Sequence, residues 1–126
     1  LEDWANSSMW NDNYAPYACA LGGLAYRIAQ QDKAGEELLN LAMKKMKTNF
    51  WPKALIQYEL NQIDEDELYQ RADDEVRLTE AKCFVAMQEK LAGDEKKSKE
   101  LFTWIEANGN RTCFAYRWAR YELLKR

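Results

Sequence analysis

Carboxylates are the residues best placed to do chemistry in this chain. Seven fall in two runs, Asp64, Glu65, Asp66 and Glu67, then Asp73, Asp74 and Glu75, a density that could serve a hard cation or paired acid/base catalysis. The first run lacks the spaced Gly and final Glu of a calcium-binding loop. Carboxylates in the first turn of a helix also oppose the positive end of its dipole, and both runs are read that way. No histidine is present, which excludes Ser-His-Asp and Cys-His nucleophilic sites, His-ligated zinc or haem, and a histidine proton switch. Cys19, Cys83 and Cys113 include no C-x-x-C pair, so their spacing offers neither a zinc cluster nor a disulfide framework. Lying among Ala, Phe and Tyr, they read as small buried hydrophobes. No catalytic residue, metal or cofactor is expected.

The charge balance points the same way. Eighteen basic against 21 acidic side chains give a net charge of −3, whereas nucleic-acid binding draws on a clustered excess of Lys and Arg. Lys44, Lys45 and Lys47, then Lys96, Lys97 and Lys99, then Arg111, Arg117, Arg120, Lys125 and Arg126 read as solvated faces and helix ends. The longest uncharged stretch, 13–26, has fourteen residues, short of the roughly twenty apolar ones that span a bilayer. No membrane span or signal peptide is expected. A chain that begins without Met is read as a fragment or processed form, located in the cytoplasm or periplasm, with the cytoplasm favoured.

Helices must position whatever these residues do. Gly and Pro are scarce and Ala, Leu, Glu, Lys and Gln dominate, which favours helix throughout. Asp12 or Asn13, with Pro16 in the first turn, opens a helix to about residue 30. Asp32 caps a second, ending near 47, and Pro52 starts a shorter third that stops around 61. Asp64 and Glu67 have capping-box spacing for a fourth, to about 74. A fifth covers 75–92, Gly93 takes the left-handed position after it, and Asp94 caps a sixth to 107. A turn at 108–110 precedes a last helix over 111–125. The first helix carries apolar residues all round, so neighbours should cover more than one of its sides. Ser98, Leu101, Phe102 and Ile105 mark a buried stripe on the sixth helix, and Phe114, Trp118 and Tyr121 one on the last.

Helix pairs of this length invite a test for internal repeats. Gly23, Tyr26, Gly35, Leu39 and Ala42 are separated by 3, 9, 4 and 3 residues, and Ala86, Ser98, Phe102 and Ile105 repeat the alternation of small and large groups. Ala119 follows Ala86 by 33 residues, and Gly93-Asp94 falls at the turn between helices. On these residues the chain from 13 to 126 resembles a tetratricopeptide-repeat (TPR-like) domain of bacterial type. The stretch from Phe50-Trp51-Pro52 through Tyr58-Glu59-Leu60, Asp66-Glu67-Leu68, Glu80-Ala81, Leu101-Phe102 and Tyr116 to Glu122-Leu123 is similar to the carboxy-terminal part of such proteins, some lipoproteins among them. An irregular helical bundle is the alternative.

The resemblance implies an all-α fold, an antiparallel stack of about seven helices, with residues 1–12 as a tail or the remnant of a preceding unit. It also implies a concave face formed by the first helix of each pair. The family's ligand contacts, carried onto this sequence, fall on Tyr17, Leu24 and Arg27, on Met87 and Lys90, and on Tyr116 and Arg120. Such a face suits a peptide or protein whose carboxylates meet the cations. The expected role is therefore a non-catalytic interaction or scaffold module with a protein or peptide partner. A structural segment that self-associates is the second reading, and a carboxylate-based enzyme the third.

Overall fold

The computed structural model describes residues 14–47 and 49–125. The expected tail over 1–12 and the start of the first helix at Asp12 or Asn13 lie outside the described residues. All regular structure among the described residues is helical, in seven elements. These are α1 (Tyr14–Ile28), α2 (Asp32–Lys45), α3 (Pro52–Glu59), α4 (Glu65–Arg71), α5 (Glu75–Leu91), α6 (Glu95–Asn108) and α7 (Phe114–Leu124). The chain divides into two compact units, Leu1–Asp64 and Glu65–Arg126.

In the first unit α1 and α2 form a hairpin, and both pack against α3. Gln30, at φ 62°, turns the chain between them. Asp32 is the first residue of α2 rather than its cap, since Gln31 holds that position without a side-chain bond; Asp32 at one end and Lys44 and Lys45 at the other still complement the helix dipole. Gly35, Leu39 and Ala42 form the buried stripe of α2. The helices approach closely where the repeat intervals place glycine. A Cβ on Gly23 would lie 2.7 Å from Leu39 Cδ2, and one on Gly35 3.1 Å from the Gly23 carbonyl oxygen. Pro52 begins α3, whose Ala54, Leu55, Ile56, Tyr58 and Glu59 are all buried.

Coverage of α1 is less complete than its sequence predicts. Ala15, Cys19, Ala20 and Leu24 are buried, but Tyr26 and Ile28 are exposed, because α2 and α3 cover only part of the circumference. The helix surrounded by neighbours is α5, in the second unit, which packs against α4, α6 and α7. It buries eight consecutive or near-consecutive positions from Thr79 to Met87. Polar residues at both its ends mask that burial from a reading by periodicity.

The second unit is held by caps and cross-helix ties. Asp74 accepts a bond from the Arg77 backbone N–H at 2.8 Å, and Asp94 one from that of Lys97 at 3.0 Å, each satisfying a free donor at a helix start. Gly93, at φ 94°, supplies the left-handed residue that ends α5. Ser98, Leu101, Phe102 and Ile105 form the buried stripe of α6, as their spacing predicts. Thr79 Oγ1 donates to the Glu75 carbonyl at 2.8 Å and accepts from the Asn110 N–H at 3.0 Å, fixing α5 to the turn before α7. The short α4 is attached at three points. Leu68 is fully buried, Glu65 accepts a bond from Lys97 at 2.7 Å, and Lys82 Nζ lies 4.3 Å from the Tyr69 ring and 5.0 Å from the Trp104 ring.

The face that α7 buries differs from the expected one. Its fully buried residues are Ala115 and Ala119; Phe114 and Trp118 are half-buried, and Tyr121 is 61% exposed. Small residues bring α7 close to its neighbours and turn Tyr121 outward.

Candidate functional site

Three helix ends in the second unit enclose a cleft of about 380 Å³, within the range of small-ligand and side-chain pockets. The last turn of α5 supplies Lys90. The first turns of α6 supply Glu95, Ser98, Lys99 and Phe102, and the end of α7 supplies Glu122, Leu123 and Lys125. The reversal at Gly93-Asp94 brings the end of α5 beside the start of α6, and the return along α7 delivers Glu122 to the same place.

Glu122 organises the cleft. Its side chain is 7% exposed, and its carboxylate pairs with Lys90 and lies 3.7 Å from Lys125 Nζ. The hydrogen bond to Glu122 is the main cause that raises the Lys90 pKa, outweighing the opposing effect of burial. Both lysines are therefore partly spent on an internal carboxylate. Lys99 is exposed and makes no ion pair among the described residues, which leaves it as a free cation in a cleft that Leu123 also lines. The arrangement can accept a carboxylate or similar anion with an apolar group beside it.

A second unusual group sits in the first unit. Glu59 is 5% exposed and neither carboxyl oxygen has a hydrogen-bond partner among the described residues. Burial pushes its pKa up to about 9, against the opposing charge of Arg27, so it is a neutral carboxylic acid at neutral pH. One oxygen lies 2.9 Å from where a Gly23 Cβ would stand. This carboxyl fills the space that glycine leaves.

The residues singled out from the sequence are distributed unevenly. Leu24 and Met87 are 0% and 2% exposed and act as packing residues, presenting no surface to a ligand. Tyr17 and Arg27 lie half-buried on α1, Arg27 acting on Glu59. Lys90 lines the cleft. Tyr116 is half-buried with the Arg111 guanidinium 5.9 Å from its ring, and Arg120 is exposed, 3.7 Å from Glu106. Sequence reasoning missed Lys99, Glu122 and Glu59. The Lys90–Glu122 pair spans 32 positions, so no local spacing could reveal it, and a buried lone Glu gives no sequence signal at all.

The thiols sit as their surroundings predict. Cys19 and Cys83 are buried and Cys113 half-buried. Burial pushes Cys19 up to about 11 and is also the main cause raising Cys83 and Cys113, which keeps them as thiols rather than nucleophilic thiolates at neutral pH. Among the described residues no group of three or more Cys, Asp and Glu could hold a metal ion, and no helix is long and apolar enough to cross a membrane. Comparison with protein-family models, with curated proteins and with solved structures finds no match to this chain.

Proposed function

We propose that the chain is a non-catalytic interaction module that holds an acidic peptide segment of a partner protein, with the cleft between the ends of α5, α6 and α7 as its contact site. The cleft carries this reading. Lys99 offers an uncommitted cation, the Glu122 group sets Lys90 and Lys125 around it, and half-buried Leu123 provides apolar contact. Charge-assisted hydrogen bonds to a carboxylate beside such a contact give both orientation and affinity. The close glycine contacts of the α1–α2 hairpin support the TPR-like reading of the sequence, in which helix pairs are scaffolds rather than catalysts.

Anisotropy of two labelled peptides of about five residues, too short to form helices, tests the proposal. They share apolar residues and carry either Glu or Lys. The Glu peptide is expected to bind, and Lys99→Glu to weaken it about tenfold. Lys99 is the right probe because removing Lys90 would strand the buried Glu122. Equal binding of both peptides, or indifference to Lys99→Glu, rejects the cleft.

A further inference from the structure

Opposite its buried alanines α7 presents a bare stripe. Arg117, Arg120, Tyr121 and Leu124 are all exposed, and they recur at i, i+3, i+4 and i+7, the spacing by which one helix meets another. Tyr121 and Leu124, at 61% and 74%, are the two most exposed large hydrophobic residues among the described residues. The charge of the stripe has one sign. Arg117 makes no ion pair among the described residues, and Arg120 has only Glu106 at 3.7 Å. Lys125 Nζ lies 5.4 Å from the Tyr121 ring. The single carboxylate of α7, Glu122, faces inward and is committed to Lys90 and Lys125.

We propose that this stripe docks an acidic amphipathic helix of a partner protein. Carboxylates one turn apart on the incoming helix meet Arg117 and Arg120, where guanidinium groups favour paired hydrogen bonds. Apolar residues between them cover Tyr121 and Leu124. A second copy of the chain is the poorer occupant, because two such stripes set arginine against arginine. A lipid surface is poorer too, since two apolar side chains give little area to bury among acyl chains. The surface adjoins the cleft at Lys125, but none of Arg117, Arg120, Tyr121 and Leu124 lines the cleft, which Glu122 and Leu123 reach from other sides of α7.

The probe is a labelled synthetic helix of about 18 residues, or five turns, with Leu on one face flanked by Glu, beside a twin carrying Lys for Glu. The Glu helix is expected to bind the intact chain and the Lys helix to fail. Arg117→Glu with Arg120→Glu should weaken the Glu helix at least about tenfold and restore binding of the Lys helix. Tyr121→Ala with Leu124→Ala should weaken it comparably. All four positions are exposed, so circular dichroism should show each variant folded. Lys99→Glu should leave helix binding unchanged, which separates this surface from the cleft; loss of binding in that variant would assign the helix to the cleft and overturn the proposal. So would equal binding of both helices, a failed charge swap, or a dimer in sedimentation that the arginine variants abolish. Binding to phosphatidylcholine vesicles with about one third phosphatidylserine in place of the Glu helix would overturn it as well.

Discussion

The two units each bury a glutamate and treat it in opposite ways. In the second unit Glu122 is paired with Lys90 and lies 3.7 Å from Lys125 Nζ. In the first unit Glu59 is buried, has no hydrogen-bond partner among the described residues, and remains a neutral acid whose pKa burial raises to about 9. The difference follows from what packs around each residue. Glu122 comes from a helix end, where long lysines reach across from α5 and α7. Glu59 ends a short helix whose carboxyl reaches the glycine face of α1, where Arg27 supplies an opposing charge that burial outweighs. A buried charge persists only with partners; without them the proton itself neutralises the group.

The sharpest way to break this contrast is to make Glu122 resemble Glu59. Lys90→Met should cost the second unit about 3 kcal/mol by stranding a nearly buried carboxylate, while Lys90→Met with Glu122→Met should recover most of the loss. Native-state hydrogen exchange of α5 and α7 amides measures both.

The converse experiment uses pH. Glu59 binds its proton more tightly folded (about 9) than unfolded (4.5), so its stabilising effect is complete below pH 4.5 and is lost as pH rises toward 9. The intact chain should therefore lose stability in the first unit across that window, by roughly 2 kcal/mol between pH 5 and 7. Glu59→Gln should flatten the curve, and urea melts at a series of pH values will read it. A rise in stability with pH in the intact chain, absent from the variant, would reject the neutral-acid assignment.

Gly23→Ala probes the packing that hides Glu59. The added methyl would meet Leu39 at 2.7 Å and Glu59 at 2.9 Å, and overpacking of this size costs about 1–2 kcal/mol, read as a lowered urea midpoint. Smallest is Asp94→Ala, which removes the cap of α6 in the second unit. It should cost about 1 kcal/mol, visible as faster exchange at Lys97 and its neighbours.

Local features were legible in the sequence and distant ones were not. Gly93-Asp94 names its turn because a left-handed residue and a cap are each decided within four positions. Gly23 and Gly35 announce a close crossing because nothing larger fits. The stripe of α6 reads correctly because one side of that helix is polar. In α7, periodicity groups Phe114, Trp118 and Tyr121 on one flank, but which flank is buried depends on the small Ala115 and Ala119, whose weak hydrophobicity conceals their role. Leu24 and Met87 read as exposed ligand contacts only through the family resemblance; their burial is set by packing within each unit. The partnership of Lys90 with Glu122, 32 positions away, needs a full traverse of α6 before it exists.

The clamp of Lys82 between Tyr69 and Trp104 has an optical consequence. Seven residues are too few to hold α4 helical alone, so its persistence depends on its attachments to α5 and α6, and one of them places an ammonium beside an indole. Indole emission responds to nearby charge, so undocking of α4 would register as a change in Trp104 fluorescence, without any added label. The fold thus carries its own gauge for the attachment of its shortest helix.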